Sequence, residues 1–285
     1  MWGYAELLIV AFIFSFGGTL IKFSRLMVNP ETITFARFFL GIFFLFAILR
    51  IQKTKVRWHF LSLLVWVGAI SKSIHYLGEN YGVSQGFSYG NIIVWPAQTV
   101  FLAFASVILF HEKPSKRNLL SILLCVTGIG LISWNGVSLS DYIQNHLFLT
   151  CIFLVAAAGS AVFTIVQKKL LSQMSSAEGN LSMFAIASGI TLLPIISTGT
   201  GYQGVHVSSL LSLLALGAVT GITFLMIADS MKTVPLYLVP VIQSTTVIFS
   251  IIWGVLFFHE PITVYIVAGT LVFLIGLVLL KTKNA

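Results

Sequence analysis

Three ionisable residues, Lys72, His75 and Glu79, follow one another at spacings of three and four in a stretch that is otherwise largely apolar. On an α-helix those spacings place the three side chains within ~60° of one another on one face. Tyr76 flanks the stripe and Asn80 follows it. An ammonium, an imidazole and a carboxylate stacked over two turns can bind a zwitterionic or charged solute, or pass a proton between them, with Glu79 and His75 as the coupling groups. The same residues can instead form an ion-pair network that only locks helices together.

A second polar stripe lies a few residues on. Asn91, Trp95 and Gln98 recur at four and three, with Pro96 removing a backbone donor at that level. Amides that orient a polar solute beside a broad indole surface suit a cavity wall, and they equally suit helix-to-helix hydrogen bonding. Gln243 and Ser244, beside Pro240, are further candidates. Arg37 lies about two turns inside an apolar run, placed either to attract an anion or to snorkel outward. His111-Glu112 and His259-Glu260 look like metal pairs, yet adjacent residues on a helix diverge by ~100° and no third ligand is near in sequence. Capping and loop anchoring are expected of them, and neither a metal nor a cofactor. No G-x-x-x-x-G-K-[ST] loop is present, so primary active transport by this chain is not expected; catalysis is not expected either, and no catalytic residue is assigned.

The elements that position these residues follow from composition. Hydrophobic residues make up 58% of 285 positions and charged residues 8%, with a mean hydropathy of +1.00. Such a chain has lipid as its solvent, and apolar runs of ~20 residues indicate helices rather than a barrel. The reading is an all-α polytopic membrane protein with ten transmembrane helices. The runs are 4–23, 32–51, 60–83, 87–110 and 118–136, then 146–167, 180–197, 207–230, 235–258 and 263–281. The first is read as a retained helix, because no basic segment precedes it and no small-residue cleavage pattern follows. Loops are too short to hold a soluble domain. Cys125 and Cys151 fall inside spans and read as packing residues.

The net charge of +8 reflects topology, not nucleic-acid binding. With Arg37 and Lys72 counted as intramembrane, 12 of the 16 Lys and Arg residues fall on the side shared by both termini and 2, Lys22 and Arg25, on the other. The positive-inside rule then places both termini in the cytoplasm.

An internal repeat is visible as well. Leu109-Phe110-His111-Glu112 matches Phe257-Phe258-His259-Glu260, each followed by a proline and a Gly- and Leu-rich run, with Gly128 and Gly276 at the same offset. Five helices separate the copies, so two five-helix halves, residues 1–137 and 146–283, are expected upside down relative to each other. Gly17 and Gly18 in the first helix and Gly159 with Ser160 in the sixth permit close crossing or bending.

Phe110-His111-Glu112 with its partner Phe258-His259-Glu260, the Gly-rich fifth and tenth spans, and Glu79-Asn80 ahead of a Tyr-Gly-rich turn give a sequence that resembles the EamA-like part of the drug/metabolite transporter superfamily over essentially its whole length. The resemblance implies a secondary transporter of a bacterial inner membrane, often an exporter of amino acids or other metabolites, with one cavity between the halves. The expected partners are a small-molecule substrate and membrane lipid, with the chain a monomer or homodimer. Small four-helix relatives carry a coupling glutamate in the middle of their first helix, where this chain has Ala11-Phe12-Ile13-Phe14-Ser15. Metabolite uptake, and a lipid scramblase or structural membrane protein, are the alternatives; the last leaves the stripe of Lys72, His75 and Glu79 without a purpose.

Overall fold

A computed structural model describes residues 2–51, 53, 56–88, 90–110, 116–234 and 238–279. Its described residues are helical almost throughout, as apolar backbone without water requires. The helices are α1 (Trp2–Ser15), α2 (Gly17–Arg25), α3 (Pro30–Ile51), α4 (Leu63–Gln85) and α5 (Val94–Phe110), with a 3-10 turn, Gly90–Ile93, leading into the last. They continue with α6 (Lys116–Trp134), the short α7 (Leu139–Asp141), α8 (Leu147–Leu170), α9 (Ser176–Thr198) and α10 (Val207–Ser230). The series ends with α11 (Leu238–Gln243), α12 (Thr246–Phe258) and α13 (Val264–Leu279). Among the described residues, 6 stretches are long and apolar enough to cross a membrane: Trp2–Arg25, Pro30–Ile51, Leu139–Leu170, Ser176–Thr198, Val207–Ser230 and Val241–Phe258. Gly90–Ala105, Leu119–Trp134 and Val264–Leu279 are shorter apolar helices. At 23 residues α4 is also long enough, roughly 34 Å, but it carries the polar stripe.

Local chemistry sets the boundaries. Helix α9 starts on a capping box, the Ser175 side chain accepting from the Glu178 N–H while Glu178 reaches back. Pro96 is tolerated because it stands in the first turn of α5. The third run begins at Leu63 rather than at residue 60, because Trp58 stacks on Phe60 and Trp66 Nε1 donates to the Phe60 carbonyl, which turns the chain before the helix. Residues 111–115, which include His111 and Glu112, lie outside the described residues.

Contacts between turns sort the molecule into two ends. At one, Asn29 Nδ2 donates to the Gly199 carbonyl, Thr263 bonds Asn135 and Glu260 holds Ser88. At the other, the Ser182 hydroxyl meets the His59 N–H, Ser176 meets Asp229, and Arg117 Nε donates to the Leu279 carbonyl. Asp229 also pairs with Lys232 at 2.5 Å, a surface ion pair as its position near Lys232 suggests. Large apolar residues such as Leu8, Phe43, Leu193 and Ile275 face outward, while Tyr76, Phe163, Phe184 and Phe224 meet in the interior, so the polar stripe of α4 is wrapped by packed aromatic rings. Glycines let backbones meet: a Cβ on Gly128 would stand 2.6 Å from the Gly269 carbonyl, where α6 crosses α13.

Candidate central site

Helix α4 supplies the middle of the site. Lys72, His75, Tyr76 and Glu79 are all buried, and with Phe14, Gly17, Arg37, Trp95 and Phe224 they line a cavity of about 10 Å³, room for about one water. The side chains of Arg37, Lys72, His75 and Glu79 therefore share one interior space.

Arg37 from α3 anchors the cluster rather than snorkelling out. Its Nη1 donates to Glu79 Oε2 at 3.0 Å and to Asn80 Oδ1 at 2.9 Å, and its guanidinium lies 3.5 Å above the Tyr76 ring. Asn80 is fixed in turn by donating to Thr34 Oγ1 at 2.7 Å, so it orients the arginine without lining the cavity. The second Glu79 oxygen accepts from Asn91 Nδ2 at 3.1 Å, and His75 Nε2 stands 3.7 Å from the first. That carboxylate is thus held by three elements: α3, α4 and the 3-10 turn ahead of α5.

Lys72 is treated differently. Its ammonium meets His75 Nδ1 at 3.3 Å and lies over the faces of Phe224 at 3.9 Å, Tyr76 at 4.3 Å and Phe163 at 5.0 Å. Three ring faces attract a cation but cannot neutralise it. Among the described residues no carboxylate stands within 4 Å of it; the one carboxylate in the cluster is taken by Arg37. The cavity therefore has two strong bases against one acid, and that acid is engaged by Arg37, Asn91 and His75, an arrangement that can receive an anionic group.

The remaining sequence candidates separate from this cavity. Gln98 is absorbed by α8, donating to Thr164 Oγ1 at 2.9 Å and accepting from the Ser160 hydroxyl at 3.0 Å. Gln243 and Ser244 form the break between α11 and α12, buried and not part of the lining. Glu260 anchors a loop: its carboxylate accepts from the Ser88 N–H at 2.7 Å and the Ser88 hydroxyl at 2.6 Å. Gly159 lets α8 touch α4, a Cβ there falling 2.6 Å from the Ser71 carbonyl. Phe14, Phe163 and Phe224 were not singled out from the sequence; aromatic residues in apolar helices carry no signal that separates a site from a core.

Comparison with known proteins gives this arrangement a family. The model of the EamA-like transporter family matches residues 1–134 and again residues 147–282. The chain belongs to the EamA-like transporter family. As a multi-pass membrane protein of that family it is similar to an uncharacterized transporter of Archaeoglobus fulgidus, 22% identical over 93% of this chain and 94% of the relative. A 96-residue stretch, 34% of this chain and 29% of the relative, is 29% identical to the uncharacterized transporter YetK of Bacillus subtilis. A crystal structure with 14% identity superposes with a TM-score of 0.75 over 98% of each chain and shares the fold.

Proposed function

We propose that this family member is a secondary transporter of a small polar metabolite that carries a carboxylate, with export of amino acids or related compounds as the leading reading. The observation that carries it is Lys72: a buried ammonium on the cavity wall, bound by ring faces and an imidazole, with no carboxylate within 4 Å among the described residues. A network that only locked helices would be expected to pair that charge as it pairs Arg37 with Glu79. In this reading the solute carboxylate meets Lys72, its ammonium lies on the ring faces, and Glu79 with His75 couples transport to protons.

Ten crossings in two inverted halves, residues 1–137 and 146–283, with both termini in the cytoplasm, complete the reading. The family model's two matches, the Phe-His-Glu pair and the placement of Lys and Arg support it. A cavity with room for about one water corresponds to an occluded form, from which helices must part to admit a solute.

The test is thermal unfolding of the purified protein with a panel of amino acids and carboxylate metabolites, followed by uptake into proteoliposomes. A ligand at 100 times its Kd stabilises by about 2.7 kcal/mol. Stabilisation by one carboxylate class, lost in Lys72→Met, supports the reading. Stabilisation that survives Lys72→Met, or solutes without a carboxylate that stabilise equally, sinks it.

A further inference from the structure

Lys22 and Lys168 occupy matched positions at opposite ends of the molecule. Lys22, near the end of α2, donates from Nζ to the carbonyl of Gly86, just past the end of α4. Lys168, near the end of α8, donates from Nζ to the carbonyl of Met231, just past the end of α10. The lysines are 146 residues apart and their acceptors 145, close to the 148 that separates the two Phe-His-Glu motifs. Each bond ties the first helical stretch of one half to the third.

The central cavity lies between them. Glu79 precedes Gly86 by seven residues on α4, and Phe224 precedes Met231 by seven on α10 and its following turn, roughly 10 Å in each case. Each tie is backed by neighbours. At the first end the Glu260 carboxylate holds Ser88, and Gly18 passes so close to Ser88 that a Cβ would fall 1.8 Å from its carbonyl oxygen. At the second, Gln167 and Asn180 both donate to the Phe224 carbonyl, at 3.1 and 3.0 Å.

We propose that Lys22 and Lys168 are paired gate residues, one for each face of the membrane, and that both gates are closed in this structure. A half-buried ammonium on a main-chain carbonyl is a charge-assisted bond to an acceptor that carries only partial charge, and so it can part and reform as helices separate. Two such ties at pseudo-equivalent places give alternating access a physical basis: releasing one opens one end while the other still holds. The inference rests on the transport reading for its purpose, but its test needs no solute.

Gly17 provides the reporter. It lines the cavity, and a Cβ there meets only Asn91 Nδ2, at 4.0 Å. In a chain with Cys125→Ala and Cys151→Ala, Gly17→Cys is exposed to a membrane-impermeant methanethiosulfonate reagent from either face of sealed vesicles. The expected result is slow labelling of the parent from both faces. Lys22→Met should accelerate labelling at least tenfold from one face only, and Lys168→Met from the opposite face only, with Lys22→Arg and Lys168→Arg returning the rates toward the parent. Glu260→Gln, which weakens the grip on Ser88 and removes a carboxylate charge that acts on Lys22, should accelerate labelling from the same face as Lys22→Met and keeps the first gate testable if that variant does not accumulate. Acceleration from both faces by either lysine variant means general loosening and overturns the proposal, as does no acceleration. A reversed orientation of the chain exchanges the two faces and leaves the pattern intact, and failure of the solute reading shows instead as a ligand panel that does not stabilise a chain whose gates behave as stated.

Discussion

The Arg37 guanidinium meets the Glu79 carboxylate at 3.0 Å with both side chains buried, joining α3 to α4 at the level of the cavity. The two stand 42 positions apart in sequence, and the Tyr76 ring packs against both the Arg37 guanidinium and the Lys72 ammonium in the cavity they share. The contact fixes which face of α4 looks inward, and it occupies the acid that Lys72 would otherwise have.

Removing one partner leaves a bare charge in the interior. Arg37→Met and Glu79→Gln are each expected to lower stability by about 3–5 kcal/mol, while the double variant recovers part of that loss, because the pair is removed together and only the Lys72 charge stays in the cluster. Unfolding in detergent followed by intrinsic fluorescence measures all four corners of the cycle. Simple addition of the two single losses in the double variant would show that the pair is not coupled.

Lys72→Met should separate stability from binding. The substitution deletes a buried charge that ring faces only partly compensate, so stability is expected to hold or rise, while affinity for a carboxylate solute falls at least tenfold, about 1.4 kcal/mol. Titration of the solute against wild type and variant decides it. Equal affinity would remove Lys72 from the site, and a large loss of stability would assign it to the framework.

Two adjacent glycines should behave oppositely. Gly18→Ala drives a Cβ to 1.8 Å from the Ser88 main-chain oxygen and is expected to cost about 1–3 kcal/mol, since backbone rather than a flexible side chain must yield. Gly17→Ala meets nothing closer than 4.0 Å, and its gain in helix propensity, up to about 1 kcal/mol, should leave stability unchanged or better. Thermal unfolding of the two variants side by side is the measurement. A shared loss would place the cost in helix bending at the α1–α2 break instead of in contact with Ser88.

Much of this is legible in the sequence, and the parts that are not share a cause. The period of Lys72, His75 and Glu79 is local, so one helix suffices to predict a common face. The partner of Glu79 is not local: Arg37 reads equally well as a snorkelling residue until α3 is laid against α4. Lys22 and Lys168 read only as charges that set topology, because their acceptors are main-chain carbonyls, which every residue possesses and no sequence marks. Phe163 and Phe224 form two sides of the enclosure around Lys72 from α8 and α10, and their apolar character is the same as that of the residues facing lipid.

Gln98 puts the distinction between wall and framework to the test. On spacing alone it belongs with Asn91 and Trp95, and the three fall on one face of the stretch that runs from the 3-10 turn into α5. In the fold Asn91 reaches Glu79 and Trp95 lines the cavity, whereas both ends of the Gln98 amide are spent on Thr164 and Ser160 of α8. Interhelical side-chain hydrogen bonds in membranes contribute about 0.6 kcal/mol on average, up to about 1.7, so Gln98→Leu should cost no more than roughly 1–3 kcal/mol for the two together and leave solute affinity unchanged. Asn91→Leu, which strips a donor from Glu79, should weaken solute binding several-fold. Parallel ligand titrations of the two variants check this, and a Gln98→Leu chain that folds normally yet loses binding would return Gln98 to the cavity wall and require a wider site than the one Lys72 and Glu79 define.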